Sequence, residues 1–326
     1  MTRIYKWRSD LSGMMVSFLN EKRMTGYKYS NQEKWLFRFD SYYDRNGYAG
    51  IRITKSMVDG FIYSSPGQPS THYLKERLLR DFALFLVRQG YQEVYVSKVK
   101  SAPVKKCSHI PYIFTGKEME NIFTAVDAWE DSFYTNRHLV DPVLFRLLYG
   151  TGMRVSEALN IMVKDFDGIN GVLTVYHAKN NKDRLIPLAP SLVDRIGKFI
   201  NAFHKYSQDT AYLFQSSRKG KADNSTVYRR FRQYLQCATI PHTNAGPRVH
   251  DLRHNYAVKC LKKWVLAGEE LTNLLPYLAA YMGHSDFRGT QYYLRLTADL
   301  YPDIVSRLEA GFGHVIPEGG PTDEGE

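Results

Sequence analysis

The stretch that decides the fold reads GTGMRVSE at residues 150–157. A helical sequence ends near Tyr149, and the glycines that follow predict a tight turn whose backbone can approach a ligand closely. Arg154 then begins a second predicted helix, residues 155–161, whose N-terminal end is favourable for anions. An arginine at the start of a helix after such a turn indicates contact with a phosphate group.

Three further segments carry polar residues of the kind that phosphodiester cleavage needs. Lys179 lies in the segment AKNNKDR, and His250 and Arg253 lie in the segment HDLRH. His284 lies in the segment GHS, and Tyr293 follows it by nine positions. Cleavage requires a nucleophile, an acid for the departing oxygen and positive donors around the phosphorus.

The chemistry of these side chains suggests a role for several of them. Arg154 and Arg253 can hold the nonbridging oxygens of a phosphate, because a guanidinium presents paired, planar N–H donors. A neutral tyrosine is a weak nucleophile, and Tyr293 therefore needs a base or a strong cationic field. His250 lies three residues before Arg253 on one predicted helix face and could exchange a proton with the tyrosine.

In this order and spacing, the segments within residues 112–296 resemble the tyrosine recombinase (phage-type integrase) family, and the first hundred residues resemble it more weakly. The resemblance implies that the chain cuts and rejoins DNA strands through a 3′-phosphotyrosine intermediate, with no metal ion and no cofactor. It implies a homotetramer on double-stranded DNA with inverted-repeat sites. It also implies six catalytic residues: Arg154, Lys179, His250, Arg253, His284 and Tyr293.

Two of these assignments depend on the family pattern, because the residues alone leave them open. Lys179, Lys182 and Arg184 lie in or beside one predicted turn, and the chemistry does not separate the two lysines. Tyr292 and Tyr293 are adjacent and about 100° apart on a helix, so only one of them can face the phosphate. The family pattern selects Lys179 and Tyr293.

Two neighbouring residues have more than one interpretation. Glu157 lies three residues after Arg154 and could orient a neighbouring arginine, or it could be an acid on a helix surface. His254 lies four residues after His250, and two histidines at this spacing could bind a metal ion. No third ligand is evident in the sequence, and we therefore expect a buried hydrogen-bonding histidine and no metal site.

Hydrophobic spacing predicts a mainly helical fold. Four helices are expected in the first ninety residues, including residues 54–63, residues 71–88 and a helix that starts at a capping box, SNQE at residues 30–33. A second capping box, TGKE at residues 115–118, precedes another helix. Residues 171–176 and 184–188 predict an antiparallel strand pair. Further helices are expected from Ser191, Asn224, His250 and Glu270 and across Tyr293.

We therefore expect a small helical N-terminal domain and a mixed α+β catalytic domain with a small antiparallel sheet. The resemblance identifies the first of these as a core-binding domain. The predicted boundaries are residues 1–96 for the helical domain, 97–110 for a basic linker, 111–314 for the catalytic domain and 315–326 for an acidic, disordered tail.

The charge of the chain is uneven. Its 326 residues carry a formal charge of +11, and residues 1–106 contain 19 basic and 9 acidic side chains. Such a basic first third favours a polyanionic partner, although a solvated helical surface would have the same composition. No run of about 18 apolar residues predicts a membrane span. Three widely spaced cysteines, Cys107, Cys237 and Cys260, indicate a cytoplasmic protein without disulfides.

Several functions remain open at this level. The family resemblance does not separate a phage integrase from a transposon recombinase of a mobile element or a chromosome-dimer resolvase. A type IB topoisomerase-like enzyme would use the same chemistry to nick and close DNA. A non-catalytic helical DNA-binding protein would explain the basic first third but not the six residues in the order of the family.

Overall fold

The computed structural model describes residues 5–64, 69–98, 110–130, 134–176, 183–216, 220–243, 246–283 and Tyr293. The chain divides into two compact units, residues 1–108 and 109–326, and each has its own hydrophobic core. Most of the predicted linker at 97–110 and all of the predicted tail at 315–326 lie outside the described residues. Within the described residues, no helix is long and apolar enough to cross a membrane.

The first unit contains the four predicted helices. They are α1 (Ser12–Met24), α2 (Ser30–Arg45), α3 (Lys55–Tyr63) and α4 (Pro69–Arg88). Their apolar faces meet in a core in which Phe18, Phe39 and Phe82 are fully buried, as helical spacing of apolar residues requires. Helix α4 begins earlier than predicted, because Pro69 is well suited to the first turn of a helix.

The two predicted capping boxes have different outcomes. At Thr115, the hydroxyl accepts a hydrogen bond from the backbone N–H of Glu118 at 3.2 Å, and the Glu118 carboxylate accepts one from the backbone N–H of Thr115 at 2.8 Å. The box predicted at residues 30–33 is wrong, because its serine is the first residue of α2 and not the N-cap. The carboxylate of Glu33 instead accepts a hydrogen bond from Arg23 in α1 at 2.7 Å.

In its described residues, the second unit contains seven α-helices, one short 3-10 helix (Val163–Asp165) and three short strands. The helices are α5 (Gly116–Asp127), α6 (Arg137–Thr151), α7 (Val155–Ala158), α8 (Pro190–Phe203), α9 (Asn224–Cys237), α10 (Asp251–Ala267) and α11 (Leu271–Met282). The strands are β1 (Phe166–Asp167), β2 (Val172–Val175) and β3 (Arg184–Pro187), paired antiparallel in the order β1-β2-β3. The structure confirms the predicted strand pair and the mainly helical fold with a small antiparallel sheet. Strand β1 was not predicted, because two residues are too few to show the alternating pattern of a strand.

Helix α7 is shorter than the predicted range 155–161. The chain leaves the helix because Met162 forms an antiparallel bridge with Tyr212. The backbone N–H of Leu213 also donates to the carbonyl of Ile161 at 2.7 Å. Pairing with a distant segment therefore ends the helix after a single turn.

The turn between α6 and α7 packs closely against α10. Gly152 caps α6 with a φ of 62°, which is the left-handed conformation that glycine adopts without strain. A Cβ atom at this position would lie 2.7 Å from the Cδ1 atom of Tyr256 in α10. Both the backbone conformation and the close packing of α10 therefore require glycine here.

Candidate active site

A buried glutamate organises the first part of the site. Glu157 lies in α7 and is 6% exposed. Its Oε1 accepts a hydrogen bond from Nη1 of Arg154 at 2.6 Å, and its Oε2 accepts one from the backbone N–H of Arg154 at 2.9 Å. Arg154 is the N-cap residue of α7, so one helical turn holds the pair. The structure thus makes Glu157 an acid that orients an arginine and not an acid on the surface.

A second arginine shares this carboxylate. Arg184 begins β3, and its Nη2 and Nη1 donate to Oε2 and Oε1 of Glu157 at 2.8 and 3.3 Å. Its Nε donates to the backbone carbonyl of Tyr281 in α11 at 3.0 Å. The sequence presented Arg184 only as a neighbour of the candidate lysines. The one available signal was Glu157, which could orient an arginine without showing which one.

The two arginines keep Glu157 ionised. Burial raises the pKa of the Glu157 carboxyl, but hydrogen bonds from Arg184 and Arg154 outweigh burial and lower the pKa to about 2. The carboxylate is therefore charged at neutral pH, and these three side chains carry a net charge of +1. A cluster with this charge attracts anions.

Arg253 of α10 lies against the ends of two other helices. It is 3% exposed, and its Nη1 and Nη2 donate to the carbonyls of Gly152 and Met282 at 2.8 and 2.6 Å. These carbonyls end α6 and α11, where the helix dipole favours a cation. Arg154 Nη2 also donates to the carbonyl of Gly283 at 3.2 Å. Burial lowers the pKa of Arg253 to about 10, so it stays protonated at neutral pH.

Tyr293 is buried beside these arginines. It is 4% exposed, and its hydroxyl accepts a hydrogen bond from Arg253. Burial raises the pKa of the phenol, although the positive charges of Arg253 and Arg154 act in the opposite direction. The phenol is therefore neutral at pH 7 and must lose a proton before it can act as a strong nucleophile.

Two histidines at the start of α10 lie between Tyr293 and the protein surface. The ring of His254 lies 5.4 Å from the ring of Tyr293 and 4.9 Å from the ring of His250, measured between centroids. His250 is exposed at the N-cap of α10. His254 is half-buried and not fully buried as expected. In the part of the chain that the structure describes, no three His, Cys, Asp or Glu side chains are grouped as metal ligands.

Four of the six predicted catalytic residues lie in described parts of the chain. The structure brings Arg154, Arg253 and Tyr293 together, and His250 lies against His254, which in turn lies against Tyr293. The catalytic roles of all six stay predictions. The other residues considered for the site lie outside the described residues: Lys179, Lys182, His284 and Tyr292.

A helical first unit, followed by a mainly helical unit that holds paired arginines and a buried tyrosine, defines the class of the tyrosine recombinases. The model of the phage integrase family matches residues 113–299, which is more than half of the chain. The chain therefore belongs to the phage integrase family, and it is a site-specific recombinase. The resemblance seen in the sequence is confirmed.

Relatives and solved structures agree with this assignment. The chain is 28% identical over 304 residues to the Sinorhizobium fredii protein y4rB, described provisionally as an integrase/recombinase, with 90% of this chain and 95% of that one covered. It is 33% identical over 170 residues to the tyrosine recombinase XerA of Pyrococcus furiosus, which covers 51% of this chain and 54% of XerA. The XerH site-specific recombinase bound to difH has the same fold, with a TM-score of 0.61 and 19% identity over 83% of this chain and 78% of that one.

Proposed function

We propose that this recombinase cuts and rejoins double-stranded DNA through a covalent bond between Tyr293 and a 3′ phosphate. The observation that carries the proposal is the buried Tyr293 hydroxyl, which accepts a hydrogen bond from Arg253 and lies in the field of Arg154. A phosphate placed against these side chains would meet its nucleophile and two cationic donors at once.

The proposed cleavage step is an exchange of one phosphorus–oxygen bond for another. The oxygen of Tyr293 bonds to phosphorus while the bond to the 5′ oxygen breaks, and the two arginines stabilise charge on the nonbridging oxygens. The phenol proton leaves toward His250, the departing oxygen takes a proton from Lys179, and His284 donates to a phosphate oxygen. Attack by the 5′ hydroxyl of a second strand reverses the step, so the reaction needs neither ATP nor a metal ion.

Charge and surface composition support DNA as the partner. Residues 1–106 contain 19 basic against 9 acidic side chains. In the second unit, α9 exposes Arg229, Arg232 and Gln233, side chains that suit phosphate oxygens and base edges. XerH was solved on DNA, and one lambda integrase structure is a tetramer on a Holliday junction. We therefore infer a homotetramer on two inverted-repeat DNA sites in the cytoplasm.

Each part of the chain has its own task in this function. Residues 1–96 are the core-binding domain and residues 111–314 the catalytic domain, and the basic segment 97–110 is the linker that joins them in sequence. The acidic residues 315–326 carry the same sign of charge as the backbone of DNA, and we assign them no role in phosphate binding.

Substitution of the proposed nucleophile tests this function. The probe is a nicked duplex that carries the inverted repeats flanking the gene, on which a covalent protein–DNA adduct survives SDS. Tyr293→Phe is expected to bind the duplex as the wild type does and to form no adduct, because it lacks the attacking oxygen. Tyr292→Phe is the matched control and is expected to form the adduct at the wild-type level. Peptide mapping that places the DNA on Tyr292 would overturn the assignment.

The same duplex separates recombination from nicking and closing. With a second duplex present, a recombinase transfers the cleaved strand to that partner. A type IB topoisomerase-like enzyme would reclose the cleaved strand within its own duplex and leave the partner strand unchanged. Strand transfer is the outcome that we expect.

A further inference from the structure

The site contains an arginine that the proposed reaction does not use. The Arg184 side chain is 10% exposed and lies between α7, β3 and α11. In sequence it lies five positions after Lys179. A buried guanidinium in such a position requires several partners, because an unpaired buried charge is costly.

The partners of Arg184 belong to two different catalytic segments. Its Nη1 and Nη2 donate to both carboxylate oxygens of Glu157, which in turn accepts hydrogen bonds from the backbone and side chain of Arg154. Its Nε donates to the backbone carbonyl of Tyr281, which lies three residues before His284. A planar guanidinium can make these contacts together because its donors point in fixed directions.

The turn that precedes His284 is built around the same guanidinium. Gly283 caps α11 with a φ of 66°. A Cβ atom on Gly283 would lie 2.8 Å from Nη1 and 3.0 Å from Cζ of Arg184. Glycine is therefore required both by its conformation and by the close approach of the arginine. Displacement of Arg184 would act directly on the backbone that leads into His284.

Arg184 also determines how much charge Arg154 can offer to a phosphate. If Glu157 paired with Arg154 alone, the two side chains would form a neutral ion pair. Because Arg184 shares the carboxylate, the three side chains keep a net charge of +1. An anion that approaches Arg154 thus meets a positive charge that is not cancelled.

We propose that Arg184 is a positioning residue for DNA strand cleavage. It fixes Arg154 through Glu157, and it fixes the turn before His284 through the carbonyl of Tyr281. The inference rests on the proposed function of the same site. Its Nε, Nη1 and Nη2 are directed at protein oxygens, so Arg184 acts through other residues and not on the phosphate itself.

The test measures covalent adduct formation on the nicked duplex in a single turnover at saturating DNA, and DNA affinity separately. In Arg184→Ala the maximal rate is expected to fall by about 10²-fold, since displacement of catalytic groups by roughly 1 Å has this effect. The dissociation constant is expected to rise by less than about 10-fold, because one positive charge near the DNA is lost while the other phosphate contacts remain. Arg184→Lys is expected to recover part of the rate, because a lysine can pair with Glu157 but cannot also hold the carbonyl of Tyr281.

Arg195→Ala is the matched control, because Arg195 is an exposed arginine of α8 and is expected to change neither quantity. A loss confined to DNA affinity would show that Arg184 contacts the phosphate. Wild-type maximal rates in both Arg184→Ala and Arg184→Lys would show that Arg184 positions no catalytic group. Either result overturns the inference. If Arg184→Ala fails to fold, the lysine variant decides alone: a reduced maximal rate supports the inference and a full one overturns it. A wild-type protein that forms no adduct at Tyr293 would instead overturn the proposed function.

Discussion

Two buried carboxylates of the second unit have similar partners and opposite electrostatic character. Glu157 lies between Arg154 and Arg184. Asp141 of α6 lies between Arg137 and Arg230, which is in α9. In each case one carboxylate is paired with two arginines, yet the pKa of the Glu157 carboxyl is lowered to about 2 and that of Asp141 is raised.

The surroundings of Asp141 explain the difference. Its Oδ1 accepts a hydrogen bond from Arg230 at 2.9 Å, and its Oδ2 accepts one from the hydroxyl of Tyr234 at 2.7 Å. Arg137 donates to the same hydroxyl at 2.6 Å and stacks on the ring of Trp129 at 3.4 Å from its centroid. Burial raises the pKa of the Asp141 carboxyl, and the attraction of Arg230, Tyr234 and Arg137 does not fully offset it.

Exposure, more than composition, separates the proposed phosphate-binding cluster around Glu157 from the structural cluster around Asp141. The Arg154 side chain is 23% exposed, the highest value among these four arginines, whereas Arg137 is 7% exposed. An arginine that reaches solvent can accept an anion from outside. An arginine enclosed by Trp129 and Tyr234 can only hold α6 against α9.

The largest expected effect is on stability. In Arg137→Ala the free energy of unfolding is expected to fall by about 3–5 kcal/mol, because a buried charge pair loses one partner and the hydroxyl of Tyr234 loses a donor. Unfolding in urea measures this loss. The rate of adduct formation per folded molecule is expected to stay at the wild-type level.

Lys198→Ala provides the control for this stability effect. Lys198 pairs with Asp194 at 2.8 Å on α8, but both side chains are well exposed, at 77% and 61%. Exposed pairs of this kind contribute less than about 1 kcal/mol. Equal losses in Lys198→Ala and Arg137→Ala would mean that burial does not make the Asp141 cluster structural.

The next effect is on the reaction. In Arg154→Ala the maximal rate of adduct formation is expected to fall by about 10²–10³-fold, which corresponds to roughly 3–4 kcal/mol, because a donor to the developing charge is lost. The free energy of unfolding is expected to change little, since Glu157 keeps its hydrogen bonds from Arg184. Single-turnover kinetics and urea unfolding of the same preparation measure both quantities. A stability loss as large as that of Arg137→Ala would show that Arg154 is structural too.

Local features of the molecule could be predicted from the sequence. The turn at Gly152, the helix start at Thr115 and the pairing of β2 with β3 depend on residues close together in the chain. The capping of α2 was predicted wrongly, because Glu33 pairs with a residue of another helix. The short length of α7 likewise depends on the distant partner of Met162.

The candidate site was only partly predictable for the same reason. The contact of Arg184 with Glu157 spans 27 positions, and that of Arg184 with Tyr281 spans 97. No periodicity or motif spacing encodes pairs at such separations. The position of His254 against Tyr293 also depends on how two segments pack, whereas Arg154 and Arg253 lie in short motifs that could be recognised.

The smallest expected effect is a difference in how the two carboxylates respond to pH. The folded pKa of Glu157, about 2, lies below its ordinary value of 4.5. Its contribution to stability is therefore present above pH 4.5 and is lost as the pH falls toward 2, with an upper limit of about 3 kcal/mol. The pKa of Asp141 is raised above its ordinary value of 3.8. Its contribution is therefore present below that value and is lost as the pH rises through the folded pKa.

Urea unfolding of the wild type, Glu157→Gln and Asp141→Asn measures the two contributions separately. The free energy of unfolding of each protein is determined at intervals from about pH 3 to about pH 7. The wild type is expected to gain stability relative to Glu157→Gln as the pH rises and to lose stability relative to Asp141→Asn. Each variant removes one titrating group, so all other carboxylates cancel in the difference and the sign of its slope reports one pKa shift. Slopes of the same sign would mean that the pKa values of both carboxylates are shifted in the same direction, and the two clusters would then not differ in electrostatic character.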